Sequence, residues 1–142
     1  APAAEIIDFI RSNGAAAVMA HPIHTKFKPD ILYNVVRELQ QAGLSGIEVF
    51  HASQPRANRQ LYLDIIRDLG LITAGGSDFH GGTAHPENKL GTGRRHNLNM
   101  PYMVLEQLHA AANAPAANTA APLSSASPVP QASYYAELEK YL

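Results

Sequence analysis

Apolar residues fall in short blocks whose spacing alternates between a helical and an extended period. Glu5-Ile6-Ile7-Asp8-Phe9-Ile10-Arg11 places its apolar positions on one helical face and stops at Asn13-Gly14, a good C-terminal pair. Ala15 to Ala20 is a compact apolar run bracketed by Gly14 and Pro22. It is too short for a helix and predicts a strand ending at His21. From Pro29, Ile31, Leu32, Val35, Val36, Leu39 and Ala42 recur at helical spacing up to Gly43, with the proline at the first turn. Gly46 to Phe50 predicts a second strand, closed by His51-Ala52-Ser53. Leu61, Leu63, Ile65, Ile66 and Leu69 mark a helix from Pro55 to Asp68 that terminates at Gly70. Leu71 to Ala74 predicts a third strand, which Gly75-Gly76 stop abruptly. After Pro101 a further helix, Tyr102 to Ala112, carries Val104, Leu105 and Leu108 on its buried side.

Strand-helix alternations at intervals of roughly 25 to 30 residues predict an α/β fold, with a parallel sheet of three strands and helices packed on its faces. In such folds functional groups collect at the carboxyl ends of the strands. His21, His51, Asp78 and His80 all lie there. Within Ser77-Asp78-Phe79-His80 a carboxylate and an imidazole stand two residues apart, a pairing that suits Zn, Mn or Fe. A polar turn whose Asp caps a helix has the same local pattern. Recurrence of ligand-type residues at equivalent places in successive units favours a metal site.

Composition narrows the function. The chain has 142 residues, 46% of them apolar, which suffices for one domain with a core. A net charge of -1 leaves no electrostatic footprint for nucleic acid or an anionic membrane, so any phosphate recognition must be local. No run approaches the roughly 18 apolar residues that span a bilayer. Cysteine is absent, which removes disulfides and thiolate metal sites and agrees with the expected cytoplasmic location. Seven histidines is the unusual count. There is no initiator methionine and no signal-peptide pattern; Ala1-Pro2-Ala3-Ala4 leads straight into a helix, as if the chain opened in mid-fold.

Ala20-His21-Pro22, Gly46-Ile47-Glu48-Val49, Gly75-Gly76-Ser77-Asp78-Phe79-His80 and Lys89-Leu90-Gly91 resemble, in order and spacing, the later motifs of the PHP (polymerase and histidinol phosphatase) family of metal-dependent phosphoesterases. Asn97 to Tyr102 followed by an apolar helix is similar to the C-terminal end of small bacterial members, so the resemblance covers about residues 5 to 110. It implies a distorted (β/α)7 barrel with two or three divalent ions (Mn, Zn, Fe or Mg), a small phosphorylated substrate, and His21, Asp78 and His80 as metal ligands. The family's opening H-x-H pair and its middle His and Glu ligands lie upstream of the A-H-P histidine, and only twenty residues precede His21. The expectation is therefore the C-terminal portion of a PHP barrel. Three strands cannot close a barrel, so the missing N-terminal half, a second copy of the chain or a rearranged terminus should cover the open flank.

In the intact enzyme, metal-activated water would attack phosphorus in line. His51 either ligates or serves in acid-base work. Glu48 is expected to support the ligands from behind. His24, Lys26, Arg94 and Arg95 are candidates for substrate or phosphate contact, with Arg favoured for bidentate binding, and His24 departs from the Gly or Arg expected in that loop. His85, His96 and His109 read as surface residues. A non-catalytic PHP module that binds metal or partners, and a related metal-dependent amidohydrolase, are the competing readings, since the same ligands and activated hydroxide serve esters and amides.

Residues 81–88 predict a long mobile loop, and Gly91-Thr92-Gly93 lacks the third glycine and the context of a dinucleotide fingerprint. With residues 1–112 as the barrel portion, residues 113–133, almost wholly Ala, Pro, Ser, Asn and Thr, predict a disordered linker. Residues 134–142 carry a Tyr and Leu stripe and predict a short amphipathic helix able to dock on a partner or back onto the core.

Overall fold

A computed structural model describes residues 1–114 and 130–142; the linker expected over residues 113–133 falls for the most part outside the described residues. In chain order the elements are α1 (Ala3–Ser12), β1 (Val18–Met19), a 3-10 turn (Pro22–Thr25), α2 (Pro29–Gln41), β2 (Gly46–His51), α3 (Arg56–Leu69), β3 (Ile72–Gly76), α4 (Gly81–Ala84), β4 (Asn88–Lys89), β5 (Gly93–Arg94), α5 (Met103–Asn113) and α6 (Ala132–Glu139). The architecture is mixed α/β: a parallel three-stranded sheet of order β1-β2-β3, and a separate antiparallel hairpin, β4-β5.

Each main helix follows its apolar stripe. α2 starts at Pro29, has Asp30 in its first turn, and buries Leu32 and Val36. α3 buries Tyr62, Leu63, Ile65 and Ile66, and ends where Gly70 adopts the left-handed conformation, φ 65°. α3 packs on β2 and α5 on β3. Ile47, Val49, Phe50, Leu63 and Ile66 have no exposed surface and form the centre of the core. No described helix is long and apolar enough to cross a membrane.

Several expected boundaries move. β1 pairs over two residues only, Val18 with Gly46 and Met19 with Ile47. β3 includes the double glycine before it stops, with Gly75 opposite Phe50 and Gly76 opposite His51. The glycine at 75 serves close approach, because a Cβ there would lie 2.6 Å from the Phe50 carbonyl oxygen and from Met100 Sδ. On α5 only Val104 is fully buried, and Leu105, expected on the inner side, is 41% exposed. Residues 81–89 hold α4 and β4 rather than an unbroken loop.

α6 folds back on α3 and on the outer edge of β3. Alternate residues of an edge strand point their backbone groups outward, and β3 follows this rule: the Ile72 N–H turns inward to the Ser45 carbonyl at 3.0 Å. The outward Thr73 N–H is taken by the Tyr134 hydroxyl at 3.1 Å, and the Tyr135 hydroxyl donates to the outward Leu71 carbonyl at 3.0 Å. Two tyrosines thus do for this edge what a further strand would do, and remove a template for unwanted pairing. Tyr134, Tyr135 and Leu138 are all buried, and Arg67 of α3 pairs with Glu139.

Burial pushes the phenol of Tyr134 up to about 12; burial and then the neighbouring Tyr134 do the same for Tyr135. Both folded values lie above the unfolded value near 10, so the stabilisation is complete below pH 10 and is lost as pH rises towards 12. The melting temperature should hold up to pH 10 and fall between 10 and 12, together with the appearance of tyrosinate absorbance. The Tyr134→Phe/Tyr135→Phe variant should lose this extra alkaline slope; an identical slope in the variant would disprove the assignment.

Candidate functional site

The carboxyl ends of β1, β2 and β3 bring His21, His51 and Asp78 to one side of the sheet. His21 follows β1 in the left-handed region, φ 30°, a conformation uncommon outside glycine. It is held there from the neighbouring strand: its backbone N–H donates to Glu48 Oε2 at 2.7 Å. A charge-assisted hydrogen bond of this kind offsets backbone strain of about 1 kcal/mol.

β2 contains an irregularity that aims His51. Glu48 pairs with Ala74 and Phe50 with Gly75, so Val49 is one residue too many and the alternation of faces resets. His51, paired with Gly76, therefore emerges on the face of Glu48. Three observations agree. A Cβ on Gly76 would stand 3.6 Å from Glu48 Oε1, the His51 ring lies 5.9 Å from the His21 ring, and Phe50 instead packs against Gly75 on the Met100 side.

His24, from the 3-10 turn, joins the group, with ring centroids 5.4 Å from His21 and 6.4 Å from His51. Asp78, also left-handed at φ 53°, sits between two imidazoles: His51 Nε2 is 3.8 Å from Oδ2, and His80 Nδ1 is 3.4 Å from Oδ1. These are electrostatic neighbours, since 3.8 Å is too long for a hydrogen bond.

His51 is 2% exposed and has one hydrogen bond, accepted at Nδ1 from the Ser53 N–H at 3.1 Å. In the neutral ring the proton then resides on Nε2, which is buried with no partner. His80 has the opposite arrangement. Its Nδ1 lies 2.9 Å from the Asp78 carbonyl oxygen, which can only accept, so Nδ1 carries a proton and, in the neutral ring, the lone pair is on Nε2.

The remaining sequence candidates lie elsewhere. Lys26 ends the 3-10 turn, exposed, with no polar side-chain partner among the described residues. Arg94 and Arg95 belong to the β4-β5 hairpin, where Arg94 pairs with Glu87 at 3.1 Å. A hydrogen bond from its own backbone, then Arg94 and His85, hold the Glu87 carboxyl below its usual range.

Sequence reasoning missed the two asparagines that clamp this hairpin to the strand ends. Asn88 Nδ2 donates to the Asp78 carbonyl at 3.2 Å, and Asn97 Nδ2 donates to the carbonyl of Ala52, next to His51, at 2.7 Å. It also missed Arg59, which is buried. A signal for it existed: Arg59 precedes Leu63 by four and Ile66 by seven residues and so lies on the apolar stripe of α3.

Among the described residues no three His, Asp or Glu side chains stand close enough, as they are, to hold one ion. The donor set still fits a borderline divalent ion in its chemistry: a carboxylate with an imidazole on either side, one of them with a free Nε2 lone pair, and two further imidazoles close by. No protein-family model matches the chain. Over 79 residues it is 30% identical to the phosphoribosyl 1,2-cyclic phosphate 1,2-diphosphodiesterase of Eggerthella lenta. The matched stretch is 56% of this chain and 28% of that enzyme, so the chain spans about a quarter of the length of the curated relative it matches. The sequence is thus similar to part of a phosphodiesterase.

Proposed function

We propose that the chain supplies the metal-facing end of a PHP-type phosphoesterase that hydrolyses a small phosphorylated substrate. The observation that carries this reading is the convergence of His21, His51 and Asp78 at the ends of three adjacent parallel strands, and the likeness to a phosphodiesterase supports it.

Asp78, His80 through Nε2, and His21 would hold a divalent ion (Mn, Zn, Fe or Mg), one of two or three in a domain completed by further ligands. When bound, such an ion acidifies water and neutralises phosphoryl oxygens. Glu48 is a positioning residue, which fixes His21 through its backbone N–H. His51 takes neither a ligand's nor an acid's part in this reading. With Nδ1 occupied by the Ser53 N–H, its Nε2–H is a fixed donor, suited to steady the Asp78 carboxylate or a phosphoryl oxygen. A neighbouring half-domain or a second copy of the chain would complete the barrel beyond β1, the sheet edge opposite to α6; the exposure of Ile6 and Phe9 on α1 supports such a cover.

Elemental analysis of the purified chain tests the ligand assignment. The chain should carry bound divalent metal, about one ion per copy for a single set of ligands, and Asp78→Ala/His80→Ala should carry none. His51→Asn should keep the metal. Equal metal in the double variant sinks the site, and loss of metal in His51→Asn makes that residue a ligand.

A further inference from the structure

The β4-β5 hairpin holds a charge arrangement that the strand-end cluster does not use. Lys89, Arg94, Arg95 and His96, with Glu87 and Asn97, line an open pocket of about 720 Å³. Its single carboxylate, Glu87, is already bonded to Arg94, and Lys89 and Arg95 have no ion-pair partner among the described residues.

A second observation comes from the layer that Asn97 connects to this pocket. Arg59 is 8% exposed, yet no carboxylate faces its guanidinium among the described residues. Its contacts are the Asn97 carbonyl at 3.4 Å from Nη2 and the Phe50 ring at 6.0 Å, while Nε is buried and unpartnered. Gln54, 5% exposed and just ahead of α3, has both amide atoms buried without a partner. Arg59 thus places a positive charge, with no carboxylate partner among the described residues, directly behind Asn97, which is part of the pocket lining. Asn97 is the common member: its carbonyl accepts from Arg59, its Oδ1 accepts the Arg94 N–H at 2.9 Å, and its Nδ2 ties the hairpin to Ala52.

We propose that the hairpin pocket is an anion-binding site for a phosphate-class oxyanion, with Lys89 and Arg95 as its outer contacts and Arg59 as the buried positive charge joined to it through Asn97. Planar guanidinium groups pair with tetrahedral oxyanions in a bidentate manner, and a flexible lysine adds a point charge. The site is distinct from the His and Asp cluster and does not depend on metal there. The hairpin is nonetheless clamped by Asn88 and Asn97 to the residues that carry Asp78 and His51, so a bound anion has a fixed relation to that cluster.

Calorimetric titration of the full chain with inorganic phosphate, and separately with ribose 5-phosphate, at constant ionic strength tests this. Phosphate should bind the unmodified chain, and about tenfold or more weakly Lys89→Gln/Arg95→Gln, whose exposed positions leave the melting temperature unchanged. Arg59→Gln should weaken binding as well. The unmodified chain stripped of metal with a chelator should still bind phosphate, and the Lys89 and Arg95 variant treated in the same way should not, which separates this site from the metal reading. Tighter binding of the ester identifies a phosphoryl group on a larger ligand, and equal binding identifies free phosphate. No binding to the parent chain, unchanged affinity in the lysine and arginine variant, or loss of binding after chelation would overturn the proposal.

Discussion

Gly46→Ala should cost about 3 kcal/mol or more, and the chain should melt roughly 10 °C lower or fail to fold cooperatively. The cause is lateral. A Cβ on Gly46 would lie 2.3 Å from the backbone oxygen of Ile72 and 2.7 Å from its Cγ1, so β2 and β3 would have to separate at the first pair of their register. A backbone atom cannot swing aside as a side-chain tip can. Gly76→Ala is the matched control, because its Cβ would meet only Glu48 Oε1, at the ordinary contact distance of 3.6 Å. That variant should stay within about 1 kcal/mol of the parent. Thermal melts of the two side by side decide the matter, and equal loss in both would mean that the close approach of β2 to β3 at Gly46 is not what the position is for.

Leu138→Ala should destabilise the chain by about 2 to 5 kcal/mol, far more than the size of its helix suggests. α6 has eight residues, too few to be stable alone in water. Its stability comes from docking, and Leu138 has no exposed surface at the interface with α3. Glu139→Gln removes the partly exposed pair with Arg67 and should cost less than about 1 kcal/mol. A denaturant titration of both variants orders the two contributions; a Leu138→Ala midpoint equal to that of Glu139→Gln would show that α6 contributes no more than a surface contact.

The docking of α6 also bears on how the open edge of the sheet is managed. The expected remedies included a second copy of the chain or a rearranged terminus. On the β3 side the chain's own C-terminal helix covers the edge, with two tyrosine hydroxyls satisfying the outward backbone groups of Leu71 and Thr73. The β1 side has two paired residues and no such cover described. That leaves β1 as the edge at which the proposed barrel would be completed.

Local signals were enough for α1, α2, α3 and α5, for a parallel sheet, and for the placing of His21, His51 and Asp78 at the carboxyl ends of its strands. Apolar spacing, proline at a helix start and glycine at a helix end are properties of neighbours in the chain. The strand that stops at the glycine pair was placed two residues short, at Ala74 rather than Gly76, because the contact that requires Gly75 inside it is with Phe50 and Met100 on other segments. The β4-β5 hairpin left no trace, since strands of two residues have no period.

The face of His51 was equally hidden. Val49 and Phe50 are both apolar, so the run reads the same with or without an extra residue, and only the register against β3 reveals the reset that turns His51 towards Glu48 and His21. The sequence offered His24 as a loop contact for substrate, but only the fold brings its ring beside those of His21 and His51. What residues near one another in the chain could specify was the type and order of the elements and the chemistry at their ends. Which edge α6 covers, where His51 points and why Arg59 is buried without a countercharge depend on contacts between distant segments, and those exist only once the chain has folded.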